Sequence, residues 1–133
     1  QSGEIKSFPL GRRMAETLSI KYKLAIASGS WVKDIRYILE NASALNLFPV
    51  ILGKESAVKE KPHPDIFLNA AEKLGCAPFE CFVLEDALKG LHAAKEAGMP
   101  CIILRNALNR NINFAGAELI FESLEDFVSA LKD

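Results

Sequence analysis

Long apolar runs are missing from this chain. No stretch of its 133 residues approaches the roughly 20 that a membrane-spanning helix requires. No signal-peptide pattern opens it, so the expectation is a cytoplasmic protein without a membrane partner. A surplus of either charge is missing too. With 16 basic and 17 acidic residues and a net charge of −1, nothing in the balance would draw a nucleic acid. Cysteine is scarce. Three residues, an odd number without a Cys-x-x-Cys pair, argue against a disulfide framework or a zinc site and suit a reducing cytosol. Cys81 and Cys101 stand in apolar runs, where a thiol acts as a small hydrophobe. There is no Gly-x-Gly-x-x-Gly after a strand and no Gly-x-x-x-x-Gly-Lys-Ser/Thr, which disfavours dinucleotide and nucleoside-triphosphate cradles. With no repeat, low-complexity tract or composition break, residues 1–133 read as a single α/β core domain. Gln1-Ser2-Gly3 receives no structural weight.

What is present is an alternation of short apolar runs and amphipathic stretches. Gly11 to Ile20 has helical spacing, with Met14 and Leu18 one turn apart. Lys23 to Ala27 reads as a strand and Ser28-Gly29-Ser30 as the turn leaving it. Trp31, Ile35, Leu39 and Ala42 mark one face of a helix. Pro49 to Gly53 is a second strand, followed by the polar loop Lys54 to Lys61. After Pro62 and Pro64, Ile66, Ala70 and Leu74 line a helix that Gly75 stops. Cys81 to Leu84, Pro100 to Leu104 and Leu119 to Phe121 are further strands, and Leu88 to Ala97 is a helix. Asn106, Asn109, Asn111 and Asn113 mark an irregular polar segment. Ser123 with Asp126 resembles a capping box for a last helix whose buried side is Leu124, Phe127, Val128 and Leu131. Strands alternating with helices predict a three-layer, Rossmann-like parallel sheet with helices on both faces.

Chemistry concentrates where the strands end. Phe82-Val83-Leu84-Glu85-Asp86 begins as a run covered on both faces and ends as two adjacent acids, which are costly there unless a cation meets them. In such sheets ligands bind beyond the carboxyl ends of the strands. Ser28-Gly29-Ser30 offers hydroxyls and backbone N–H groups to an anion at a helix start; the same segment also suits a plain helix cap at Ser30. Lys61 supplies a point charge for phosphate oxygen. Glu85 and Asp86 suit Mg²⁺, which takes one or two carboxylates with substrate phosphate and water. The set reads as phosphate with magnesium. Trp31 reads as packing, His63 as a helix-start residue, and His92 as a surface or interface histidine. Arg12 and Arg13 read as a solvated face, while Arg105 and Asn106 are placed to border the pocket.

Three ordered motifs carry a family resemblance: Leu24 to Ser30 (LAIASGS), Lys61 to Phe67 (KPHPDIF) and Val83 to Pro100 (VLEDALKGLHAAKEAGMP). Together they resemble the haloacid dehalogenase-like phosphohydrolases, in particular the β-phosphoglucomutase-like branch with a helical cap, over about Phe8 to Leu104. The resemblance implies a Mg²⁺-dependent phosphatase or phosphomutase acting on a small phosphorylated metabolite. Ser28 and Gly29 would bind the transferring phosphate. Lys61 would neutralise it and the nucleophile, and Glu85 and Asp86 would hold the metal. The Ser or Thr usual after the acids is Ala87 here, which removes one supporting hydroxyl.

The larger departure is that the family's Asp-x-Asp nucleophile motif has no counterpart. The aspartates are Asp34, Asp65, Asp86, Asp126 and Asp133, and no two are spaced i, i+2. Pro9-Leu10-Gly11 resembles the point where the family chain re-enters its core from the cap. The resemblance therefore implies a core lacking its first, central strand and its cap, and with the cap the group that selects substrate. The two flanking strands are expected to close on each other, or to accept a segment from another chain, a swapped copy or a cleaved N-terminal piece. The alternative to an enzyme is an inactive module that binds a partner through that slot.

Overall fold

The computed structural model describes residues 3–6 and 12–131. Its elements are β1 (Gly3–Lys6), α1 (Arg12–Ser19), β2 (Lys23–Ala27), α2 (Val32–Asn41), β3 (Val50–Leu52), α3 (Asp65–Leu74), β4 (Cys81–Glu85), α4 (Leu88–Glu96), β5 (Cys101–Leu104), β6 (Leu119–Phe121) and α5 (Leu124–Leu131). The six strands form one sheet in the order β3-β2-β1-β4-β5-β6, and every neighbouring pair is parallel.

Alternation along the strands sends side chains to two separate cores. Ala25 and Ala27 of β2, Val83 of β4 and Ile103 of β5 join Phe67 and Ala70 of α3 and Leu91 and Ala94 of α4 on one face. Leu24, Ile26, Leu84 and Leu104 join Met14 and Leu18 of α1, Ile35 and Leu39 of α2, and Phe127 of α5 on the other. The result is the three-layer arrangement the alternating pattern implies. The helix stops follow local chemistry: Gly75 takes φ +74° after α3, a left-handed value that costs glycine little. The Ser123 hydroxyl accepts the Asp126 N–H at 3.1 Å, capping α5.

Two expectations are corrected. The central slot between β2 and β4 is filled, and the chain fills it itself. Residues Gly3–Lys6 pair with Lys23–Ile26 on one side and with Cys81–Leu84 on the other, so β2 and β4 do not close on each other and the segment that fills the slot in this structure belongs to the chain itself. Two facing rows of unpaired backbone groups in a sheet covered by helices strongly favour any strand that can enter. Gly-Glu-Ile-Lys enters with Ile5 fully buried. This strand brings no aspartate with it. Pro9-Leu10-Gly11 lies outside the described residues. The second correction concerns α5: Phe127 is buried, Val128 and Leu131 pack against the core, and Leu124 is exposed. Among the described residues no helix is long and apolar enough to cross a membrane.

Candidate functional site

β2 runs into Ser28, whose N–H still donates across to the Leu52 carbonyl at 3.1 Å. The Ser28 hydroxyl accepts the Ser30 N–H at 3.1 Å, which curls the loop back on itself. Ser28 is buried, while Gly29 stands open, with nothing near the place its Cβ would occupy. The loop after β3 presses against this turn. A Cβ on Gly53 would lie 2.5 Å from the Ser30 carbonyl oxygen and 2.8 Å from the Val32 nitrogen. Lys54 N–H donates to that Ser30 oxygen at 2.8 Å.

The start of α2 is not left for a ligand. Trp31 provides no side-chain cap, and the Glu55 carboxylate accepts the Val32 N–H at 3.1 Å from across the loop. The plain helix cap read at Ser30 is therefore not the one formed: the cap position is Trp31, and the accepting oxygen comes from Glu55.

Lys61 reaches inward from the loop before α3. Its Nζ donates to the Ala27 carbonyl at 3.1 Å and to Glu85 Oε2 at 3.0 Å, and lies 4.7 Å from the Phe67 ring centre. Both side chains of this pair are nearly buried, at 10% and 2% exposed. The peptide bond to Pro62 is cis. The other Glu85 oxygen accepts the N–H groups of Asp86 at 3.0 Å and Ala87 at 3.2 Å. Helix α4 can approach because residue 90 is glycine: a Cβ there would sit 1.9 Å from the Glu85 carboxyl group.

Asp86 is the acid that faces outward. Its carbonyl accepts Asn109 Nδ2 at 2.9 Å, and its Oδ2 lies 3.5 Å from Asn106 Nδ2. Partial burial, and then the charge of Glu85, raise its carboxyl above the ordinary value, with Lys61 pulling the other way. Burial also pushes the Cys101 thiol up to about 12, helped by the same Glu85 charge.

These groups meet at one cavity of about 400 Å³ at the carboxyl edge of the sheet, lined by Ser28, Gly29, Lys61, Glu85 and Asp86. All five residues singled out in the sequence stand there together. Lys54, Lys59, Glu60 and Lys89 also line it and were not singled out; the place of the first three in the segment after β3, and of Lys89 in the first turn of α4 just past the acids, was the available signal. Trp31 is 47% exposed with Lys54 Nζ 5.3 Å from its ring centre, and it shares a neighbouring groove with His63. His92 is exposed on α4. Arg105 does not line the cavity; it donates to the carbonyls of Asn109, Arg110 and Ile112. Among the described residues no three His, Cys, Asp or Glu side chains gather as a metal cage. The donor set is one outward carboxylate beside a cavity that Ser28, Gly29 and Lys61 also line, which fits an ion that keeps most of its waters, as Mg²⁺ does.

Residues 2–104 match the model of the family described as haloacid dehalogenase-like hydrolase. The chain belongs to that family. Among its haloacid dehalogenase-like relatives, β-phosphoglucomutase of Bacillus subtilis is 30% identical over 122 residues, covering 92% of this chain and 51% of the relative. Phosphoglycolate phosphatase of Escherichia coli is 32% identical over 96 residues, covering 71% and 38% respectively. The crystal structure of CbbY from Rhodobacter sphaeroides in complex with phosphate superposes with a TM-score of 0.74 at 32% identity, covering 83% of this chain and 50% of that one. The chain thus spans about half the length, or less, of the relatives it matches.

Proposed function

We propose that this chain carries the phosphate-binding and metal-binding half of a Mg²⁺-dependent phosphatase or phosphomutase active site for a small phosphorylated metabolite. The observation that carries this reading is the nearly buried Lys61–Glu85 pair, with Asp86 beside it and Ser28 lining the same cavity. Ser28 Oγ and the Gly29 N–H receive phosphate oxygens. Lys61 offers a positive charge to the phosphate, aimed by the Ala27 carbonyl and by Glu85. Asp86 is the side chain that would hold Mg²⁺, which would screen phosphate charge and the repulsion between the paired acids. Glu85, with one oxygen on Lys61 and the other on two N–H groups, serves chiefly to orient the lysine and the turn. The relatives named as a phosphatase and a phosphomutase support this class of reaction.

The nucleophile is the missing part. No aspartate pair has the i, i+2 spacing the family uses, and β1 ends at Lys6. That favours, as a second reading, a chain that binds phosphate and metal without turnover. One experiment separates them: thermal unfolding of the chain with MgCl₂ and inorganic phosphate, followed by phosphate release from a panel of small phosphoesters. Both readings expect phosphate with Mg²⁺ to raise Tm, and Ser28→Ala or Asp86→Asn to remove most of the rise. Turnover then distinguishes enzyme from binding module. No rise in wild type would overturn both.

A further inference from the structure

The asparagines after β5 do more than mark a loop. Asn109 is 3% exposed, one of few polar residues in the interior. Its amide nitrogen donates to the Asp86 carbonyl at 2.9 Å and to the Leu104 carbonyl at 3.0 Å. Its amide oxygen accepts the Asn106 N–H at 2.8 Å. Three of the four hydrogen bonds a primary amide can make are therefore used, and the two donated ones join the ends of β4 and β5 just where the ladder between those strands has run out.

Asn106 supports this from outside. Its Oδ1 accepts the N–H groups of Leu108 and Asn109, both at 2.9 Å. Arg105 closes the loop below: one guanidinium nitrogen donates to the Asn109 carbonyl at 3.1 Å and to Ile112 at 2.9 Å, and the group lies over the ring of buried Phe114. A chain of contacts thus runs from a core aromatic to the backbone of Asp86.

We propose that Asn109 is a positioning residue for Asp86, setting the turn Glu85–Ala87 at the angle from which the Asp86 carboxylate faces the cavity. The inference rests on the metal role assigned to Asp86 above. It also bears on Ala87: this turn has no hydroxyl after its acids, and Asn109 ties it down through the Asp86 carbonyl instead.

The test uses the isotopically labelled chain. In wild type, scalar couplings across hydrogen bonds should connect the Asn109 side-chain amide to the Asp86 and Leu104 carbonyl carbons, and their absence overturns the assignment without any variant. In Asn109→Ala, exchange of the Asp86 and Ala87 amide protons should quicken at least tenfold while Val83 and Leu84 keep their rates. Asn109→Asp, which preserves size and the acceptor but loses the donor, should behave like Asn109→Ala. Unchanged exchange at Asp86 and Ala87 in both variants overturns the proposal. Mn²⁺, added as the probe, should broaden resonances around Asp86 in wild type and bind at least fivefold more weakly to Asn109→Ala; equal affinity overturns the positioning role. No broadening in wild type would sink the metal reading alone, and the exchange rates would still decide the role of Asn109.

Discussion

At the scale of single residues the site is a balance of one buried cation against two acids. Lys61→Met leaves Glu85 nearly buried without its partner, a change that typically costs about 3–5 kcal/mol, and urea unfolding should show a loss of that size. Adding Glu85→Gln to Lys61→Met should recover part of it, because the stranded charge is then gone. Gly90→Ala drives a methyl group into the Glu85 carboxyl group and should cost about 1–3 kcal/mol by the same measurement. Asp86 supplies a dependence on pH in the metal-free chain. Burial and Glu85 raise its carboxyl above the ordinary 3.8, so the folded state holds this proton more tightly than the unfolded one. Its contribution to stability is present at pH below 3.8 and is lost as pH rises through the raised value. Asp86→Asn should therefore have a higher Tm than wild type at pH 7 and an equal one at pH 3; a lower Tm at pH 7 would contradict the sign. The residues at strand ends were legible in sequence because their chemistry and position coincide. Glu55 and Asn109 were not, because each acts on backbone that lies 23 residues away along the chain.

At the scale of elements, α1 through α5 and β2 through β6 follow from apolar spacing and from Gly and Pro punctuation, with ends displaced by a residue or two. β1 does not follow. Four residues with a single buried apolar side chain are too few for a period of two to register, and what makes them a strand is the pair of edges waiting on either side. Ile5 is the contact most open to test. Ile5→Ala should destabilise by about 2–5 kcal/mol, as large-to-small changes at fully buried sites do, read by urea unfolding. A loss below about 1 kcal/mol would mean that the slot is held by backbone pairing alone. Leu124 shows the opposite limit: helical spacing put it on the buried side of α5, but α5 meets the core on its face of the sheet through Phe127, Val128 and Leu131, and Leu124 at its first turn stays exposed.

At the scale of the whole molecule, two cores lie on opposite faces of one sheet, and the polar groups gather at the edge where the strands end. Deleting residues 1–7 should open the facing edges of β2 and β4 and add self-associated species of larger size on size-exclusion chromatography; a deletion variant with an unchanged elution profile and an unchanged Tm would show the slot closing on itself. The position of β1 also sets an order of events. Gly3 pairs with Lys23 and with Cys81, so one border of this strand can form early, while the other waits for a segment made far later. During synthesis β1 is made before both of the strands it joins, and its place in the sheet is completed only with the later of them. Until β4 emerges, β1 has one bare border, and a nascent chain stalled before residue 81 would be the form most exposed to capture by a chaperone or by another chain.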